Sequence, residues 1–156
     1  MPRLVVIGIG NRDRGDDAFG RVVAARLRGR LSGHVSLIEV DGEATALLDC
    51  LGEADGAIVI DAAVSGSDPG EIHRFDAARE PLPAANYGLS THGFGIVEAV
   101  ELARTLGTLP GRCIVYTAEA RSFELGAPLS PELVLAVEEV AAQVIADADQ
   151  WSPAHA

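Results

Sequence analysis

The chain reads as a single α/β domain built on a mostly parallel sheet with helices on both faces. Three observations predict it. Short apolar runs alternate with helical periodicities along the whole chain, as βαβ units require. Hydrophobic residues make up 48% of the chain but aromatic residues only 4%, which favours tight aliphatic packing of helices on a sheet over a β-sandwich. The chain also opens on an apolar run, Leu4-Val5-Val6-Ile7, that enters a glycine-containing turn, Gly8-Ile9-Gly10-Asn11, and then a helix.

The elements follow in order. Leu4–Ile9 is the first strand, and Asp17–Leu31 a helix with Phe19, Val22, Val23, Leu27 and Leu31 on one face. Val35–Val40 is a second strand and Ala44–Leu51 a short helix. Ala57–Ile60 is a fully apolar strand ending at Asp61, of the kind buried on both faces in a parallel sheet. Glu71–Phe75 fits a short edge strand. Asp76–Ser90 contains Pro81, Pro83, Asn86 and Gly88 and is expected to be an ordered loop. A helix is expected from about Phe94 to Leu106, with Ile96, Ala99, Val100, Ala103 and Leu106 inward. Cys113–Thr117 is a further strand. Pro131–Ala148 is a final helix with Leu133, Val137, Val140 and Val144 inward, Pro131 in its first turn and Ser130 as its cap. Residues 1–150 are expected to form the one domain and 151–156 a flexible tail.

Composition excludes several classes of function. A formal net charge of −11 argues against nucleic acid and against anionic membrane surfaces. No apolar run reaches the length of a membrane span, and the first strand begins without a signal-peptide pattern, so a cytoplasmic location is expected. All 12 basic residues are Arg, so a lysine Schiff base and a P-loop lysine are both impossible. Cys50 and Cys113 are far apart in apolar contexts and are expected to be buried, inert thiols. A monomer is the default expectation.

A strand–glycine–helix opening usually suggests a phosphate site. Here Asp13, Asp16 and Asp17 stand where a phosphate would have to sit, which points instead to a cation. Sites in open α/β sheets form outside the carboxyl ends of the strands. Asp16 and Asp17 follow the first strand, Asp61 ends the third, and His92 lies in Ser90-Thr91-His92-Gly93 just before a helix. Two carboxylates and an imidazole suit a borderline divalent metal such as nickel or zinc, with coordination positions left open. Ordinary roles compete with this reading. Asp16 suits an N-cap, where a first-turn carboxylate gains about 0.3–1 kcal/mol, and a single loop histidine is unremarkable. Asp61 is the most telling, because a carboxylate closing an apolar strand is costly when buried unpaired.

Other motifs are incomplete. A GxGxxG fingerprint needs glycine at position 13, which is Asp13, although Glu39 or Asp41 stands where a ribose-binding acid would. There is no GxSxG elbow and no HExxH, and Ser90 beside His92 is too little for a triad. His34, His73 and His155 read as structural.

The segment Gly8-Ile9-Gly10-Asn11-Arg12-Asp13-Arg14-Gly15-Asp16-Asp17-Ala18-Phe19-Gly20 resembles the opening motif of the [NiFe]-hydrogenase maturation endopeptidases. Ile58-Val59-Ile60-Asp61-Ala62 looks like that family's strand with a metal-binding aspartate, Ser90-Thr91-His92 like its histidine segment, and Gly126 with Leu129-Ser130-Pro131 like the turn into its last helix. The resemblance implies a five-stranded sheet in a three-layer α/β/α sandwich. It implies removal of a C-terminal peptide from a nickel-loaded hydrogenase large-subunit precursor by an aspartic-type peptidase. Nickel in the precursor, rather than a resident metal, would be the recognition element, contacted by Asp17, Asp61 and His92.

The chain departs from the family pattern at Asp41-Gly42-Glu43-Ala44-Thr45, at Ala18, at Gly93-Phe94-Gly95 and at Ala118-Glu119-Ala120, differences that bear on precursor specificity. A metal-polarised or carboxylate-activated water is the expected nucleophile, with Asp16 and Asp41 as candidate bases. Two other functions fit parts of the pattern: a non-catalytic nickel-binding assembly factor on the same fold, and a small dinucleotide-binding oxidoreductase.

Overall fold

The computed structural model describes residues 3–83 and 95–151. In chain order these residues form β1 (Leu4–Ile9), a 3-10 turn (Gly15–Ala18), α1 (Phe19–Leu27), β2 (Val35–Val40), α2 (Ala44–Gly52), β3 (Gly56–Ala63), β4 (Ile72–Asp76), α3 (Ile96–Leu106), β5 (Arg112–Glu119) and α4 (Pro131–Gln150). The strands make one five-stranded sheet in the order β2-β1-β3-β5-β4. Pairing is parallel throughout except that β4 runs antiparallel to β5. The expected three-layer α/β/α architecture and mostly parallel sheet are the ones observed.

Each face of the sheet carries two helices. Phe19, Val23 and Leu27 of α1 pack with Leu133, Val137, Val140 and Val144 of α4 over Leu4, Val6, Ile58, Ile60 and Ile114. On the other face, Leu47 and Leu51 of α2 and Ile96, Val100 and Ala103 of α3 cover Val5, Ile7, Val59, Cys113 and Val115. Alternate residues of each central strand therefore enter opposite cores, which is why β1, β3 and β5 read as unbroken apolar runs. Cys113 is fully buried, and burial pushes its thiol up to about 12, so it is inert at neutral pH.

Several boundaries differ from the expectation. The first helix does not start at Asp17: a 3-10 turn holds Asp16 and Asp17, and α1 ends at Leu27 rather than Leu31. The following residues Gly29 and Gly33 offer nothing to continue it. β3 does not stop at Ile60 but runs on to Ala63, so Asp61 lies inside the sheet, opposite Thr117. The edge strand is shifted by one residue, to Ile72–Asp76. Leu106 is not inward; it is 59% exposed in the last turn of α3, which ends at Gly107 with φ 74°. Trp151, expected in a frayed tail, lies against Gly56 at the start of β3, where a Cβ would come within 2.4 Å of the indole nitrogen. Residues 84–94, which include the end of the expected loop and His92, lie outside the described residues, as do 152–156.

The edge strand is fastened by a buried polar group on the α1/α4 face. Arg74 of β4 forks onto Asp147 of α4 at 2.8 and 3.2 Å, and the hydroxyl of Tyr116 donates to the same carboxylate. A charge-assisted bidentate pair explains how a 9% exposed aspartate is tolerated there.

Candidate active site

The chain reverses direction across the sheet between β1 and β3: β2 lies on one side of β1, and β3, β5 and β4 on the other. That switch point opens a crevice at the carboxyl ends of β1 and β3, and it is bounded by the turn carrying Asp16 and Asp17 and by Asp61. Two glycines let the backbone close around it. Gly10 has φ 149°, and a Cβ there would fall 1.8 Å from the Asp17 carbonyl oxygen. A Cβ on Gly20 would meet the carbonyl oxygens of Ile60 and Ile9 at 2.3 and 2.4 Å, so the first turn of α1 sits directly on the ends of β1 and β3. These glycines serve backbone contact, with no phosphate cradle involved.

Asp16 and Asp61 are both buried carboxylates, and their surroundings differ completely. Asp16, 0% exposed, accepts four hydrogen bonds: from the backbone N–H groups of Arg121 (2.8 Å), Ser122 (3.1 Å) and Ser130 (2.7 Å) and from the Ser130 hydroxyl (2.7 Å). Burial opposes its charge, but these donors outweigh burial and hold its pKa below the ordinary value. Asp16 is therefore not an N-cap and not a free base. It ties the turn after β1 to the loop that leads into α4, a join extended by the Asp16 N–H to the Ser122 carbonyl and the Gly126 N–H to the Asp13 carbonyl. The same contact revises the role of Ser130: it occupies the cap position of α4, but its hydroxyl is spent on Asp16.

Asp61 is 9% exposed, and its one hydrogen bond among the described residues comes from the adjacent Ala62 N–H at 2.8 Å. Burial first, and the neighbouring charge of Asp17 second, raise its pKa well above the ordinary carboxylate value. Two carboxylates close enough to disfavour each other's charge make an environment that a divalent cation relieves. Asp17, half-buried in the 3-10 turn, and Asp61 are thus brought together as expected. The third expected ligand, His92, falls outside the described residues, and those residues contain no group of three or more His, Cys, Asp or Glu arranged to hold a metal.

The other candidates separate clearly. Asp41 is exposed, its carboxylate accepting from the Glu43 N–H at 3.4 Å. Glu39, the possible ribose acceptor, is taken up by the guanidinium groups of Arg12, Arg21 and Arg28. That engagement takes up one of the two acceptors a dinucleotide reading could use and leaves only Asp41 for it.

Polar residues near the crevice that composition did not single out lie on the two strand ends beside it. Thr117 and Glu119 of β5 are 2% and 3% exposed. Glu119 accepts from the Ser65 N–H at 2.9 and 3.1 Å and from the Ser65 hydroxyl, and Ser65 contacts Ser67, which contacts Nε2 of His73 at 3.3 Å. This is no nucleophile triad, because Glu71 approaches that same Nε2 at 3.8 Å rather than orienting the ring from Nδ1. The available signal was the one that exposed Asp61: polar residues at alternate positions closing an apolar strand.

A model of the hydrogenase maturation protease family, HycI, matches residues 22–147, a span that includes Asp61 and His92 and begins after Asp17. The hydrogenase expression/formation protein HupD of Thiocapsa roseopersicina is 28% identical over 135 residues, covering 85% of this chain and 61% of that protein. HupD of Rhizobium leguminosarum bv. viciae is 30% identical over 132 residues, 83% of this chain and 65% of that protein. The chain thus spans less than two thirds of the length of these two relatives. The hydrogenase maturating endopeptidase HybD from E. coli has a similar structure, with a TM-score of 0.80, 25% identity, and coverage of 95% of this chain and 93% of that one. The [NiFe] hydrogenase maturation protease HycI from Thermococcus kodakarensis shares the fold at a TM-score of 0.72 and 24% identity, over 95% and 93% of the two chains.

Proposed function

The chain belongs to the hydrogenase maturation protease family, and from that premise we propose that it is an endopeptidase that removes a C-terminal peptide from the nickel-loaded precursor of a [NiFe]-hydrogenase large subunit. The nickel is part of the substrate and serves as its recognition element, contacted by Asp17, Asp61 and His92. The observation that carries this reading is Asp61: a buried carboxyl with one hydrogen bond among the described residues, set against the charge of Asp17 at the switch point of the sheet. Such a group is costly in the free protein and gains when a cation arrives.

The chemistry follows from that environment. Asp61 and Asp17 lose their mutual repulsion as they engage the precursor's metal, so the precursor is bound through the charge pair that the free protein leaves strained. Docking there fixes the scissile bond beside the crevice, and a water polarised by the metal or activated by a carboxylate attacks its carbonyl. Asp16 is a poor base, because four donors from Arg121, Ser122 and Ser130 hold its carboxylate and keep its pKa below the ordinary value. Cys113 is held as a thiol by burial and is no nucleophile at neutral pH. The family's aspartic-type designation then describes carboxylates that bind and orient rather than a paired aspartyl dyad. No helix among the described residues is long and apolar enough to cross a membrane, which suits a cytoplasmic precursor.

The experiment is incubation with the purified large-subunit precursor in nickel-loaded and nickel-free forms, read by intact mass. Truncation of the loaded form alone is expected. Equal truncation of both forms removes nickel as the recognition element. Stable association without truncation favours an assembly factor.

A further inference from the structure

The side chain of Thr117 presents an unexplained cost. Its Oγ1 is buried and has no hydrogen-bond partner among the described residues, and the whole residue is 2% exposed, so solvent does not serve it either. Every other inward position on this face of β3 and β5 before Asp61 and Thr117 is apolar: Ala57 and Val59 on one strand, Cys113 and Val115 on the other. Valine has the shape of threonine and fits a central strand at least as well, without a hydroxyl to desolvate. Packing therefore does not account for the oxygen atom.

Its neighbour does. Asp61 and Thr117 are direct partners in the parallel β3–β5 register, and strand alternation puts both on the face of Val59 and Val115. Adjacent strands stand about 4.8 Å apart, a separation that a turning hydroxyl and a small carboxylate reorientation reduce to hydrogen-bond length. Asp61 already receives the Ala62 N–H on Oδ1. We propose that Thr117 is a positioning residue: when the precursor's metal engages Asp61, the Thr117 hydroxyl donates a hydrogen bond to that carboxylate and fixes the orientation of its metal-facing oxygen. This rests on the function proposed above and names a further residue of the same site. Partners of metal-ligating carboxylates act in this way elsewhere, and their loss lowers activity about 10–100-fold.

The test uses the full chain with Thr117→Val and Thr117→Ser, each measured for thermal midpoint alone and for truncation of the nickel-loaded precursor. Thr117→Val is expected to keep or raise the midpoint, by up to about 4 °C, because it removes a buried hydroxyl that has no partner among the described residues. Its kcat/KM for truncation is expected to fall about 10-fold or more, and Thr117→Ser is expected to stay within about two-fold of the unaltered protein because it keeps the hydroxyl. A lower midpoint for Thr117→Val would mean that the hydroxyl has a structural partner, and would overturn the inference. So would a Thr117→Val kcat/KM equal to that of the unaltered protein, or a Thr117→Ser variant as slow as Thr117→Val. Failure of the unaltered protein to truncate the precursor overturns the functional reading itself, and this inference with it.

Discussion

Asp16 and Asp61 sit on either side of one crevice, both buried, and the protein treats them in opposite ways. Asp16 is ringed by four donors from three residues of a distant loop, which favour its charge over burial. Asp61 has the Ala62 N–H, a like charge nearby and a low-dielectric setting that disfavours ionisation. The first is what a structural carboxylate looks like. The second is a carboxylate held away from its own best state, and that difference assigns one to the fold and the other to chemistry.

The comparison is broken or sharpened first at Asp61. Asp61→Asn is expected to reduce truncation on the order of a thousand-fold or more, the scale on which removal of a core catalytic group is felt, and to raise the thermal midpoint at pH 7 by about 2–4 °C. A lowered midpoint with truncation per folded molecule retained would place Asp61 in the same class as Asp16. Asp16→Ala leaves three part-buried N–H groups and the Ser130 hydroxyl without this acceptor and is expected to cost about 1–3 kcal/mol, seen in denaturant unfolding. Truncation per folded molecule should be retained, since the loss is one of anchoring.

The two carboxylates also give opposite pH dependences. The pKa of Asp16 is lowered on folding, so its contribution is complete above the unfolded value near about 4 and is lost as the pH falls through its depressed native value. The pKa of Asp61 is raised, so its contribution is complete below that unfolded value and is lost as the pH rises through its native value. The stability gained by Asp61→Asn over the unaltered protein should accordingly grow between about pH 4 and neutrality, and unfolding titrations of the two proteins check it. A gap that stays constant with pH would mean that Asp61 is paired in the free protein.

Asp147 supplies a smaller control. It is a buried carboxylate satisfied by Arg74 and Tyr116, so Tyr116→Phe is expected to cost about 1 kcal/mol and leave truncation unchanged. An effect on truncation would extend the site to the opposite face of the sheet.

Much of this was legible in the chain itself. The three central strands are nearly uninterrupted aliphatic runs, and such runs between helical periodicities leave few alternatives to a parallel α/β sheet. Asp61 was legible for the same reason, as a charge closing an apolar strand. What local sequence did not carry was the partner of each polar group. Asp16 and Ser130 each carry a local capping signal, yet they bond to each other across 114 residues, and only the tertiary approach of the loop before α4 turns two caps into one tie. Trp151 read as tail because nothing nearby in sequence needs it, whereas Gly56 at the start of β3 leaves the space it fills. Thr117 and Glu119 were hidden by their surroundings too, since the strand that carries them was expected to end at Thr117, two residues short of its real end at Glu119.

The most direct test is the intact mass of a nickel-loaded large-subunit precursor after incubation with the unaltered protein and, in parallel, with folded Asp61→Asn. The account predicts loss of a single C-terminal peptide with the first and an unchanged mass with the second. Equal truncation by both would contradict the assignment of Asp61 to the chemistry, and an unchanged mass with both would contradict the peptidase itself.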